Sequence, residues 1–360
     1  MKISSREVLP PVRRISIRVQ AYFVPPLIYC IVRGGIFIDK KEGLIRIFSK
    51  DIRNILRQVS VDFEQVQEIR LRVHLPLLMI HNNREFYVTS DGKLSKVAEE
   101  AFRVGRKDLK ETLEYMSDYS LYAFEDEVRQ GFITIQGGHR IGIAGKTVTD
   151  ANGIRSMKFI SFINVRLSHQ IRGCADKVLP YLYDGREILH TLLISAPRCG
   201  KTTLLRDIIR QISDGTKSHP GVTVGVVDER SEIGACYQGV PQNDLGIRTD
   251  ILDCCPKALG MMMLIRTMSP QVIAVDEIGS REDLEAMAYV MNCGCRLIAT
   301  VHGNSMDDIR QKPVLRELVQ ERWFERYVVL NGRGGPGHVD QIYDSRGSRL
   351  DWPGRRVYDN

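Results

Sequence analysis

Nowhere in this 360-residue chain do apolar residues run to the roughly twenty that a membrane-spanning helix requires. The nearest approach, residues 21–32, is short and is broken by Pro25-Pro26, so no membrane span is expected. Arg6, Arg13, Arg14 and Arg18 ahead of it give a faint resemblance to an export signal, but no small-residue cleavage site follows. Cysteine pairs at zinc spacing are also missing. Among the eight cysteines, Cys254 and Cys255 are adjacent and Cys293 and Cys295 are one residue apart, which excludes a Cys-x-x-Cys metal site. Free thiols in a reducing cytoplasm are the simpler reading. There is no internal repeat, and the only low-complexity tract is a Gly/Pro-rich stretch at 332–337.

Charge is unevenly placed. The net charge is +7, yet residues 1–60 hold 12 Lys/Arg against 4 Asp/Glu, and the remaining residues hold 39 against 40. Residues 1–43 therefore read as a poorly ordered basic arm, with weak membrane-surface contact as a second reading. The neutral remainder argues against a nucleic-acid partner.

What the chain does contain is a phosphate-binding loop. Ser195-Ala196-Pro197-Arg198-Cys199-Gly200-Lys201-Thr202-Thr203 follows the apolar run Leu192-Leu193-Ile194 and opens a helix-patterned segment. Strand, tight loop and helix N-terminus together favour a polyanion. Lys201 is placed to reach the β- and γ-phosphates of ATP, and Thr202 to offer its hydroxyl to Mg²⁺. Ser195 stands where the general motif has its first glycine.

A second element matches the first. Gln271-Val272-Ile273-Ala274-Val275-Asp276-Glu277 is a buried strand ending in two carboxylates, with Asp276 suited to the Mg²⁺ shell and Glu277 to polarising the attacking water. Val226-Val227-Asp228-Glu229-Arg230 is another strand ending in acids, where Glu229 is a secondary candidate for the water or the metal and Arg230 for phosphate charge. His302, after Thr300-Val301, ends a further strand and is a candidate γ-phosphate sensor. Arg266 and Arg140 are candidates for an arginine supplied across a subunit interface.

Alternating apolar strands and helices from residue 188 onward predict an α/β parallel sheet, with strands at 192–194, 222–227, 272–275 and 297–301. The expected architecture is a RecA-like P-loop NTPase domain of the AAA type at 188–345, preceded by a smaller α+β assembly domain at 44–150. A linker region at 151–187, signalled by Asp150-Ala151-Asn152-Gly153, joins them, and 346–360 forms a tail. Within the first domain, helices are expected at 44–59, 107–116 and 119–128, and strands near 67–72, 77–80, 86–88, 131–135 and 140–145.

The series from Ser195 to Thr203, Asp228-Glu229-Arg230, Leu264-Ile265-Arg266, Asp276-Glu277-Ile278-Gly279 and Thr300-Val301-His302-Gly303 resembles the Walker A, Asp-box, Walker B and His-box order of the type II and type IV secretion ATPases. Glu68-Ile69-Arg70-Leu71-Arg72, Gly138-His139-Arg140-Ile141-Gly142 and Cys255-Pro256-Lys257-Ala258 narrow the resemblance to the stage III sporulation AA family of endospore-forming Firmicutes. That resemblance implies a homo-hexameric, Mg²⁺-dependent ATPase with its site between neighbouring subunits. It implies a cytoplasmic place on the mother-cell side, peripheral to the membrane, energising membrane-embedded sporulation channel proteins. Asp276-Glu277 departs from the Gly-Glu usual in the secretion motors, which leaves the water-activating role open between Glu229 and Glu277. Two other classes remain as rivals, a nucleic-acid-dependent RecA-like motor and a non-hydrolysing nucleotide switch or scaffold.

Overall fold

The computed structural model describes residues 30–32, 35–37, 40–117, 132–150, 153–332 and 335–353. The helix expected at 119–128, most of the basic arm and the end of the tail lie outside these residues. Two seven-stranded sheets organise the chain.

The first sheet follows two short helices, α1 (Lys40–Ile45) and α2 (Lys50–Gln58). The continuous helix expected at 44–59 is broken because Ser49 is recruited elsewhere. Its Oγ accepts from the Ile52 N–H as an N-cap and donates to Asp108 Oδ1 at 2.8 Å, while its backbone N–H donates to Thr112 Oγ1. Both partners lie on α3 (Arg106–Met116). The strands are β1 (Val66–Arg72), β2 (Leu78–His81), β3 (Arg84–Val88), β4 (Leu94–Ser95), β5 (Phe132–Thr134), β6 (Arg140–Asp150) and β7 (Gly153–Arg166). They are antiparallel in the order β4-β3-β2-β1-β7-β6-β5. Ile69, Leu71, Ile141, Ile143, Ile163 and Val165 point to one face and pack on α2 and α3. The Asp-Ala-Asn-Gly stretch expected to open a linker instead connects β6 to β7, so the first sheet extends to Arg166.

The second sheet contains β8 (Thr191–Ser195), β9 (Val224–Asp228), β10 (Thr249–Asp253), β11 (Val272–Val275), β12 (Arg296–His302), β13 (Arg326–Leu330) and β14 (Val339–Asp344). Their order is β10-β9-β11-β12-β8-β13-β14, parallel except for the last, antiparallel strand. Helix α4 (Lys201–Asp214) buries Leu204, Leu205, Ile208 and Ile212 against one face. Helices α5 (Lys257–Thr267), α6 (Arg281–Asn292), α7 (Met306–Gln311) and α8 (Pro313–Gln320) cover the other. Covering both faces explains why these strands are continuous apolar runs rather than alternating ones. This is the P-loop ATPase fold. Three strands, β10, β13 and β14, were not among those expected.

Candidate functional site

The strand order places β8, β11 and β12 side by side, so their carboxyl ends share one edge of the sheet. Ser195 ends β8 fully buried, with its Oγ on the Ala196 carbonyl at 3.0 Å. As the last residue of an extended strand it needs no glycine conformation. The loop turns at Arg198 (φ 64°) and Gly200 (φ 85°), and Gly200 caps α4 in left-handed backbone. A Cβ at Gly200 would lie 2.0 Å from the Gly337 nitrogen, so only glycine fits there. Gly337 in turn donates its N–H to the Cys199 carbonyl at 3.0 Å. Pro336 and Gly337, at the end of the Gly/Pro-rich stretch between β13 and β14, thus lie against the phosphate loop like a strap.

Lys201 is almost fully buried, and its Nζ bridges Asp276 Oδ1 at 3.0 Å and Glu277 Oε1 at 2.9 Å. Thr202 Oγ1 donates to Asp276 Oδ2 at 2.7 Å. Parallel pairing of Val275 with Ala299 sets Asp276 beside Thr300, whose hydroxyl donates to Asp276 Oδ1. Thr300 Oγ1 also accepts the Glu277 N–H at 2.9 Å. Glu277 takes φ 56°, a conformation a glutamate adopts only when its surroundings impose it. His302 Nε2 lies 2.9 Å from Glu277 Oε1, and Arg230 binds Glu277 Oε2 at 2.9 Å. Burial alone would raise the Glu277 carboxyl. The hydrogen bond and charge of Lys201, with His302 and Arg230, outweigh it and hold the group below the ordinary glutamate range.

Lys201, Thr202, Asp276, Glu277 and His302 thus converge, with Arg230 and Thr300 joining them. Nothing in a single sequence singles out Thr300, because its role depends on strand register. Glu229 is turned away and pairs with Lys257 at the start of α5. Arg266 is exposed in the last turn of α5, just before β11 begins, so within one chain it lies on the edge of the sheet opposite the phosphate loop. Arg140 is engaged within its own chain. Its guanidinium pairs with Glu232 at 3.0 Å, donates to the Arg230 carbonyl at 3.3 Å and sits over the Phe132 ring.

The Thr202 hydroxyl and Asp276 carboxylate offer oxygen donors only, the set a hard cation such as Mg²⁺ takes. A lysine held by two carboxylates at a helix N-terminus can exchange them for phosphate oxygens.

Residues 38–350 match the family described as "Sporulation stage III, protein AA". Stage III sporulation protein AA of Bacillus subtilis (strain 168) is 40% identical over 308 residues, which is 85% of this chain and 96% of that protein. Protein SEEDLING PLASTID DEVELOPMENT 1 of Arabidopsis thaliana is 29% identical over 47% of this chain and 24% of its own length. Among solved structures, the pilus retraction motor PilT with bound ADP superposes with a TM-score of 0.50 at 15% identity, over 77% of this chain and 76% of that one. At that identity the likeness shows the fold alone. The ATPase DotB of Legionella pneumophila gives 0.48 at 15% identity over 74% and 72% of the two chains.

Proposed function

The chain belongs to the sporulation stage III protein AA family, and on that premise we propose that it hydrolyses ATP to ADP and phosphate with Mg²⁺ as the force-generating ring of a secretion-like apparatus. The observation that carries the reading is Lys201 clamped between Asp276 and Glu277 at the mouth of the phosphate loop. When triphosphate enters the loop, Lys201 exchanges its two carboxylates for phosphate oxygens. Backbone N–H groups of 198–202 and the N-terminus of α4 meet the remaining charge. Bound Mg²⁺, held by Thr202 and Asp276, supplies charge neutralisation on the phosphate oxygens. Released from Lys201, Glu277 is free to take the proton of the attacking water as its oxygen bonds to the γ-phosphorus and ADP leaves. A carboxylate of ordinary acidity is already in the basic form at neutral pH, so Glu277 remains a base once Lys201, the main cause of its lowered proton affinity, has left it. His302 and Arg230 hold it in place. Glu229, paired with Lys257, is the weaker candidate for that role.

A ring of six, docked on membrane-embedded channel proteins from the mother-cell side, is the assembly that the family and the motor fold favour. Among the described residues no helix is long and apolar enough to cross a membrane, so docking falls to partners or to the surface. The test is steady-state ATP hydrolysis by wild type and Glu277→Gln, with and without DNA. Mg²⁺-dependent turnover that falls about 10²–10⁴-fold in the variant and ignores DNA is expected. Turnover driven by DNA would replace this reading with a nucleic-acid motor, and none at any concentration would replace it with a nucleotide switch.

A further inference from the structure

The face of the first sheet that points away from its core is unlike the rest of the molecule. Alternation brings Glu68, Arg70 and Arg72 of β1, Phe162, Asn164 and Arg166 of β7, and Arg140, Gly142, Ala144 and Lys146 of β6 to this side. Among the residues just named the one acid is Glu68, which is engaged by Arg70 at 2.5 Å and by Arg166 at 3.9 Å, and the next acid on these strands is Asp150 at the far end of β6. The near-zero charge of the chain after residue 60 conceals this local excess.

At its centre Gly142 and Ala144 leave a hollow of about 280 Å³, bordered by Arg70, Arg72, Asn164 and Phe162. Two buried polar atoms of these residues have no partner, Arg72 Nε and Asn164 Oδ1. The Asn164 amide is oriented, since its Nδ2 donates to Glu68 Oε2 at 3.3 Å, which leaves Oδ1 as a free acceptor. Leaving such groups unsatisfied costs stability unless something supplies the missing bond. Phe162, directly opposite Arg72, is 47% exposed beside the hollow.

Further along the same strands Lys146 and Lys158 are direct cross-strand partners, both exposed and with no acidic partner among the described residues. Like charges placed opposite one another oppose pairing. Next to them β7 bulges. A Cβ at Gly145 would sit 2.8 Å from Ile160 Cα and from the Lys158 and Phe159 carbonyls, so glycine alone lets the strands approach there. The bulge holds Phe159 at φ 49° with 74% of its surface exposed.

We propose that this face of the first sheet binds single-stranded nucleic acid, with a base stacked on Phe162 and phosphates met by Arg72, Lys146 and Lys158. An exposed ring among cations on a sheet face suits an unpaired base and a phosphate backbone. A base edge also carries the N–H donor that Asn164 Oδ1 lacks, which a lipid headgroup phosphate does not. The lysine pair lies two residues of β6, about 7 Å, beyond Ala144 at the edge of the hollow, which favours a chain of nucleotides over a single one. This goes beyond ATP hydrolysis and does not depend on it.

The probe is a fluorescein-labelled single-stranded 12-nucleotide DNA, read by anisotropy with the full chain across a salt series. Phe162→Ala is expected to weaken binding about five- to hundredfold without changing the salt slope, since it removes stacking. Lys146→Glu with Lys158→Glu is expected to weaken binding at least tenfold and to flatten the slope, since it removes phosphate contacts. Both lysines are exposed, so this second variant guards against a misfolded Phe162→Ala. Absence of binding overturns the proposal. So does binding that ignores these substitutions, which would assign it to the basic arm. A change in particle size with unchanged DNA binding also overturns it, by making the face a contact between copies.

Discussion

Two acids at strand ends in the second sheet meet opposite fates. Burial pushes Asp228 up to about 6, although its carboxylate accepts the backbone N–H groups of Glu232, Ile233 and Gly234, whereas Glu277 is held low by its cationic neighbours. The raised value means that the folded chain binds this proton more tightly than the unfolded one. Between roughly pH 4 and 6 the contribution of Asp228 to stability therefore falls as pH rises, by about 3 kcal/mol at most. Asp228→Asn, which mimics the protonated acid, should gain on wild type as pH is raised from 5 to 8 in denaturant titrations. A difference independent of pH would remove the assignment. Thr300 makes a second residue-scale case. Thr300→Val keeps the shape but deletes the bonds to Asp276 and to the Glu277 N–H, so kcat should drop about tenfold to hundredfold with KM little changed. Loss of substrate affinity instead would mean that Thr300 only supports the loop.

At the scale of elements, the strands at 191–195, 224–228, 272–275 and 296–302 were legible because each is an apolar run closed by a polar or charged residue, the mark of a strand buried on both faces. Within β7, residues 163–166 alternate apolar and polar side chains as a strand does, but that pattern does not tell which sheet the strand joins. Asp150-Ala151-Asn152-Gly153 has the composition of either a linker or a hairpin turn, and only pairing distinguishes them. Phosphate loop and acid pair could be read as a site because their chemistry is local in sequence. The strap at Gly337 and the hydroxyl of Thr300 reach the site through register and long-range packing, which no spacing rule reports. A set of contacts joins the two sheets at this scale. The turn at Gly137-Gly138 and Arg140 grip the 230–243 loop, with Gly137 N–H on Gln242 Oε1 at 2.9 Å and Arg140 on Glu232, and Arg230 of that loop holds Glu277. Arg140→Ala should cost stability by no more than about 1 kcal/mol, because the pair is partly solvated. Hydrogen exchange in 230–243 should nevertheless rise, and the reversed pair Arg140→Glu with Glu232→Arg should restore protection. Exchange that stays flat in Arg140→Ala would show that the turn alone carries the grip.

For the whole molecule, the family match begins at residue 38 and so leaves out nearly all of the basic arm. A chain beginning at residue 38 should turn over ATP at the rate of the full chain, measured under the same conditions. A loss beyond about threefold would place the arm in the ATPase itself. The order of the second sheet has a temporal side as well. Strand β13 lies beside β8, and the strap that closes on Gly200 comes after it, so the phosphate loop is finished by residues made more than a hundred positions later. A ribosome-bound chain still short of Gly337 carries every motif residue but not the support of its loop. Support for the phosphate loop is therefore a late acquisition in chain order, and cutting the chain just before Gly337 should loosen the loop without removing any residue of its motif.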